Sequence, residues 1–238
     1  MNRQRRRPIR TWRRSWQKGW LDEMQSTRGQ RNAQIDMMLF DQGLVRRLWP
    51  NVSEVAPGVW RSSQPDPRLL RRFADRGVRA ILNLRGATSF GSYALEREAC
   101  DALGLGLVDF EMHSRRLPTA ETILALDRVF ADIPHPFAMH CKSGADRTGF
   151  AAGLYLLLRT DAPPETALRE LSWRHFHMTR SAAGILRRPF EAYAAARAES
   201  PLSFRDWLTS GYDPEALTAE FRPDPATDAI ATRVLGRE

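Results

Sequence analysis

Ten consecutive residues, His140 to Gly149 (HCKSGADRTG), bring together one of the chain's two cysteines, one of its two lysines, two glycines and an arginine. A short apolar run, Pro136 to Met139, leads in, and a longer one, Phe150 to Leu158, leads out. Successive backbone N–H groups of Lys142, Ser143, Gly144, Ala145 and Asp146, backed by a helix N-terminus, would form a concave cradle for negative oxygens. Gly144 permits the positive φ that such a curl needs. Arg147 adds a planar fork matched to two phosphate oxygens. The same field favours Cys141 as a thiolate, the form that attacks. Nucleophile and anion site would then be one loop, and the chemistry it suits is displacement at phosphorus through a cysteinyl-phosphate.

Such a loop must hang on a strand and run into a helix. The run PFAMHC reads as the strand, and RTGFAAGLYLLLR as a helix apolar nearly all round, hence buried. Upstream, VAPGVWRSSQP reads as turn, short strand, turn. DPRLLRRFADRG carries Leu69, Leu70 and Phe73 at helical spacing and stops at Gly77. VRAILNLRG and LGLVDFEM read as strands, with the helix YALEREACDALG between them. PTAETILALDRVFADIP is an amphipathic helix with Thr119 as N-cap. Strand alternating with helix predicts an α/β fold with a central, largely parallel sheet flanked by helices. Helices are expected at 35–49, 165–176, 182–198, 203–209 and 214–221, and the last dozen residues read as frayed. The expected organisation is an N-terminal extension (1–49), a central domain (50–199) and a helical C-terminal tail (200–238).

Charge narrows the partners. Of the formal +8, all belongs to residues 1–50, which carry twelve basic and four acidic groups; the rest carries 24 of each sign. Since 34 of the 36 basic residues are arginines, this is a compositional bias, and no nucleic-acid partner is expected. Trp12, Trp16 and Trp20 would align on one helical face, so residues 1–20 either lie weakly on an anionic membrane or dock on the protein's own body. No run approaches the length of a membrane span and no apolar h-region follows the basic start. With two cysteines and no disulfide framework, a cytoplasmic location is expected.

HCKSGADRTG resembles the signature loop of cysteine-dependent protein tyrosine phosphatases, H-C-x5-R-[ST]-G, in the compact dual-specificity-like branch of bacteria, fungi and plants. VAPGVWRSSQP and RAILNLRG resemble that branch's opening strands, and the resemblance spans roughly residues 50 to 195. It implies a tyrosine-phosphatase-like fold, Cys141 as nucleophile and Arg147 as phosphate clamp. It further implies that His140 biases the thiol's ionisation from behind and that the Thr148 hydroxyl stabilises the leaving thiolate. The implied substrate is a phosphorylated protein or a small phosphate, phosphoinositides included, with no metal and no cofactor.

The proton donor is the point of departure from the family pattern. The family carries an Asp on a mobile loop upstream, and Asp109 matches by sequence distance. Yet LVDFEM reads as strand, and the loop proper, HSRRLPT, holds no carboxylate. Asp146, beside Arg147, is the preferred candidate, Asp109 the second; Glu111 shares the strand face of Asp109, and His113 could donate if charged. Arg115 and Arg116 could gather a second anionic group. Cys100 reads as a packing residue, with a resolving thiol as the alternative. Two other classes stay open: a sulfurtransferase, against which the Arg-Thr-Gly continuation argues, and a non-catalytic phosphate-binding pseudo-phosphatase, against which the intact Cys141 and Arg147 argue.

Overall fold

The computed structural model describes residues 16, 17, 19–41 and 48–235; of residues 1–20, read as either meeting a membrane or docking on the body, residues 1–15 and 18 lie outside these. Five strands, β1 (Ser53–Ala56), β2 (Val59–Ser63), β3 (Ala80–Asn83), β4 (Gly106–Asp109) and β5 (Phe137–Cys141), pair in the order β1-β2-β5-β3-β4. β1 and β2 form an antiparallel hairpin; every other pair is parallel. β5 is therefore central, and parallel neighbours bring Ser63 opposite Cys141 and Asn83 opposite both His140 and Asp109. Ligand chemistry in such sheets sits beyond the carboxyl ends of the strands, where β5 stops.

The helices are α1 (Thr27–Phe40), α2 (Pro67–Asp75), α3 (Gly91–Leu103), α4 (Ala120–Asp132), α5 (Arg147–Arg159), α6 (Pro164–Glu170), α7 (Arg188–Glu199), α8 (Phe204–Ser210), α9 (Pro214–Glu220) and α10 (Pro225–Leu235). Both faces of the sheet are covered, which is why β3 and β5 are buried at every residue. On one face Phe137, Met139 and Cys141 pack with Phe130 of α4, Phe150 of α5 and Phe190 of α7. On the other, Ala138 and Ile81 pack with Leu70 and Phe73 of α2 and with Cys100 of α3. α1 adds a further layer, its Ala33 and Met37 lying on Ala94 and Leu95 of α3 together with Trp20. Trp20 is buried and meets Trp16 edge-on at 5.7 Å, so this indole docks on the protein's own body.

Local signals located several helices well. Asp66 caps α2 by accepting from Leu69 N at 2.8 Å, and Thr119 caps α4 by accepting from Thr122 N. Four elements differ from expectation. The helix expected at 35–49 is instead Thr27–Phe40, started by Ser26, whose Oγ accepts from Gly29 N at 3.0 Å; residues 42–47 lie outside the described ones. The helices expected at 165–176 and 182–198 are each interrupted by a 3₁₀ turn, Trp173–His175 and Ala182–Arg187. The tail expected to fray is α10, whose entry is fixed by Asp224 accepting from Thr227 N at 2.8 Å and by Asp228 accepting from Ala182 N at 3.0 Å.

Candidate active site

Cys141 ends β5 and α5 begins at Arg147, so the loop between them spans five residues. Its shape is set from outside, by the β1–β2 side of the molecule. The carbonyl of Lys142 accepts from Gln64 N at 3.1 Å, that of Ser143 from Asn51 Nδ2 at 3.2 Å, and that of Gly144 from an Arg61 terminal nitrogen at 2.5 Å. In a trans peptide the N–H points opposite to the carbonyl. Three consecutive carbonyls drawn to one side therefore turn the N–H groups of Ser143, Gly144 and Ala145 to the other. Among the described residues the N–H groups of Ser143 and Gly144 meet no acceptor. Gly144 has φ of 73°, and a Cβ there would stand 2.7 Å from the backbone of Ser62. Glycine is required both for the curl and for the close approach to β2.

The arrangement keeps the sequence-derived cradle together: Cys141, Lys142, Ala145, Asp146, Arg147 and Thr148 are all buried, at the N-terminus of α5. The Thr148 and Ser63 hydroxyls are buried without a hydrogen-bond partner among the described residues. Beneath the loop, Arg61 of β2 is fully buried and also bonds the carbonyl and carboxylate of Glu170, at the end of α6. Burial pulls its guanidinium below the ordinary value, against the raising influence of Glu170 and, more weakly, of Cys141 and Asp146.

A buried polar chain runs round the nucleophile. His140 Nε2 lies 2.6 Å from Glu96 Oε1, and Glu96 Oε2 accepts from Gln64 Nε2 at 2.6 Å. Gln64 Oε1 accepts from Arg85 at 2.7 Å, and Arg85 donates through both terminal nitrogens to Asp41, at 2.9 and 3.1 Å. Asp41 Oδ1 is 3.7 Å from Lys142 Nζ. The chain leaves the loop at the residue before Cys141 and returns at the residue after it.

Of the candidate proton donors, Asp146 is buried in the loop, its Oδ1 2.8 Å from Nδ1 of the buried His177. Asp109 stands at the end of β4, two strands from Cys141, and accepts from Asn83 Nδ2 at 2.7 Å and from the Tyr93 hydroxyl. Burial, then this bond, pushes the Tyr93 hydroxyl up to about 12. Glu111 and His113 are exposed, on the segment after β4. Arg115 donates to Thr232 of α10 at 2.6 Å and lies 3.7 Å from Asp228, so it ties that segment to the C-terminal helix. Cys100 packs on the sheet face opposite to Cys141, and burial, then Glu96 and Asp101, push its thiol up to about 12. The placement accords with a packing role for Cys100. Among the described residues no cluster of three His, Cys, Asp or Glu is placed to hold a metal ion.

Sequence reasoning missed the supports: Asn51, Arg61, Gln64, Arg85, Glu96, Asp41, Glu170, His175 and His177. One signal was available. Arg61 shares the inward face of β2 with Val59 and Ser63, and a charge at a core-facing strand position needs a partner.

A mixed, largely parallel sheet with a cysteine loop of this shape at its carboxyl edge is an α/β architecture with a candidate anion site. Residues 50–182 match the family described as DSP-PTPase phosphatase fused to NAD+ kinase, and the chain belongs to that family. It is a phosphatase of the dual-specificity and tyrosine phosphatase fold. Among solved structures it is similar to TpbA of P. aeruginosa, at 20% identity over 62% of this chain and 91% of that one, with a TM-score of 0.48. It is similar to the core catalytic domain of the PP-IP phosphatase SIW14 of S. cerevisiae, in complex with citrate, at 22% identity over 64% and 96%, with a TM-score of 0.47. Tk-PTP in its active form matches at 18% identity over 63% and 99%, with a TM-score of 0.44. No curated protein matches.

Proposed function

We propose that the chain hydrolyses phosphate monoesters through a covalent intermediate on Cys141. The phosphate oxygens take the inward N–H groups of the loop and the fork of Arg147. The Cys141 thiolate attacks phosphorus and the ester P–O bond breaks. Asp146, held by His177, gives the departing oxygen its proton. Water then attacks the cysteinyl-phosphate, Asp146 takes the water's proton, and the sulfur leaves as thiolate toward the Thr148 hydroxyl, releasing inorganic phosphate. The observation that carries this reading is the outward clamping of the carbonyls of Lys142, Ser143 and Gly144, which turns an ordinary strand-to-helix turn into an anion cradle.

A phosphorylated protein is the substrate class we favour. Beside the loop, Trp49 and Trp173 are exposed and flank Phe176, with ring centroids 5.0 and 5.6 Å away. Asn51, which bonds both the loop carbonyl of Ser143 and the carbonyl of His175, ties this cluster to the cradle. An aromatic bed suits the ring of a phosphotyrosyl side chain and its apolar neighbours.

The test is a panel of aryl phosphate, phosphotyrosyl and phosphoseryl peptides, phosphoinositide and thiosulfate, with wild type and Cys141→Ser. Wild type should turn over the phosphate esters. Cys141→Ser should retain less than about a hundredth of that activity, consistent with loss of a nucleophile, while still binding vanadate. Sulfur transfer from thiosulfate without phosphate release would assign the loop to the other chemistry.

A further inference from the structure

Asp41 lies outside the family match, directly after α1, and is fully buried. It is a carboxylate brought in from the N-terminal segment, and among the described residues its partners include Arg85, the Ser92 hydroxyl and the ammonium of Lys142. Lys142 is the residue after the nucleophile. An ammonium on a flexible four-carbon stem carries no geometric preference. Unrestrained, it would be drawn to the thiolate, whose charge is concentrated in the ground state and dispersed in the transition state, and would hold the ground state more strongly than the transition state.

Resting on the hydrolase reading above, we propose that Asp41 is a positioning residue of the phosphate loop, which holds the Lys142 ammonium aside and closes the buried charge chain around Cys141. α1 is what delivers it: Gly91 N donates to Asp36 at 2.8 Å, and Gly91 sits against Ala33, so the helix end is fixed on α3 just before Asp41. Arg85 then locks the carboxylate with two bonds, leaving Oδ1 facing Lys142. The segment before the phosphatase domain is thus part of the site's electrostatics, acting through Lys142 without touching substrate.

The experiment compares full-length wild type, Asp41→Asn, Lys142→Gln and the double variant, reading kcat on an aryl phosphate and the affinity for inorganic phosphate by calorimetry. In Asp41→Asn, kcat should fall at least about tenfold while phosphate affinity does not weaken, because the released ammonium favours the bound ground state. Removing that ammonium should relieve the defect, so the double variant should be no less active than Asp41→Asn. A kcat within about threefold of wild type, phosphate affinity falling in step with kcat, or losses that multiply in the double variant would each overturn the proposal. If Asp41→Asn does not fold, amine labelling of wild type decides, since Lys18 and Lys142 are the only lysines. Lys142 should label at a rate that saturating inorganic phosphate leaves unchanged, and protection by phosphate, which would put the ammonium on the ligand, overturns the proposal. Wild type inert toward every phosphate ester would sink the hydrolase reading instead, and would leave phosphate affinity and labelling still readable.

Discussion

The guanidinium of Arg61 reaches the carbonyl of Gly144 at 2.5 Å from the strand that lies beside the nucleophile's own. Its other terminal nitrogen holds both oxygens that Glu170 offers, backbone and side chain. One buried cation therefore fixes the top of the loop and the end of α6 together. Lysine would keep the charge and lose the fork. Arg61→Lys should lower kcat/KM on an aryl phosphate by at least about a hundredfold, a loss of some 2.7 kcal/mol. Arg61→Met, which leaves Glu170 without its buried partner, should also cost about 3–5 kcal/mol of stability in urea unfolding.

How much of this was legible follows from how far apart the interacting residues are in sequence. The loop was readable because nucleophile, cradle and Arg147 are contiguous, and their positions follow from a strand on one side and a buried helix on the other. The caps Asp66 and Thr119 were readable because a cap speaks to a residue three positions on. Arg61 and Gly144, Asn51 and His175, or Asp146 and His177 meet only through the sheet order and the turns after α6. Nothing local in WRHFHM reveals that one histidine reaches Asn51 and the other the loop. α10 was misread for a related reason, since its anchors, Ala182 and Arg115, are contributed by distant segments. The displaced α1 is different in kind. Its cap, Ser26, was in plain sight, but the apolar run after residue 35 drew the helix toward itself.

Leaving-group dependence separates the two carboxylates. Asp146 is in the loop and paired with His177, whereas Asp109 is two strands away and already serves Asn83 and Tyr93. Asp146→Asn should slow hydrolysis of an alkyl phosphate by about 10²–10⁴, and that of a nitrophenyl phosphate far less, because the better leaving group needs no proton. Asp109→Asn should leave the ratio between the two substrates unchanged. A ratio that moves with Asp109 and stays fixed with Asp146 would exchange their roles.

Trp173 gives a test of substrate class. It is 66% exposed, so truncating it disturbs little packing. If it forms the bed for a phosphotyrosyl ring, Trp173→Ala should raise KM for a phosphotyrosyl peptide by about three- to tenfold, the worth of one aromatic pair. Turnover of a small phosphate such as glycerol phosphate should be unaffected. Parallel changes on both substrates would argue against the aromatic bed.

His175 makes stability depend on pH. Burial first, then the charges of Arg61 and Arg174, lower it from 6.5 to about 4. It is 6% exposed, with Nδ1 3.1 Å from Asn51 Oδ1. Between those two values the unfolded chain binds the proton and the folded one does not, so the folded state loses stability as pH falls. The neutral ring's contribution is complete above about pH 6.5 and is lost progressively toward pH 4, up to about 3 kcal/mol at 1.36 kcal/mol per unit. His175→Gln keeps a donor for Asn51 and cannot titrate. Urea unfolding at pH 7, 6, 5 and 4.5 should show the wild-type midpoint falling with pH and a shallower fall in the variant. Parallel slopes would mean that His175 takes up its proton in the folded protein as readily as in the unfolded one, and that the Asn51 contact does not hold the ring neutral.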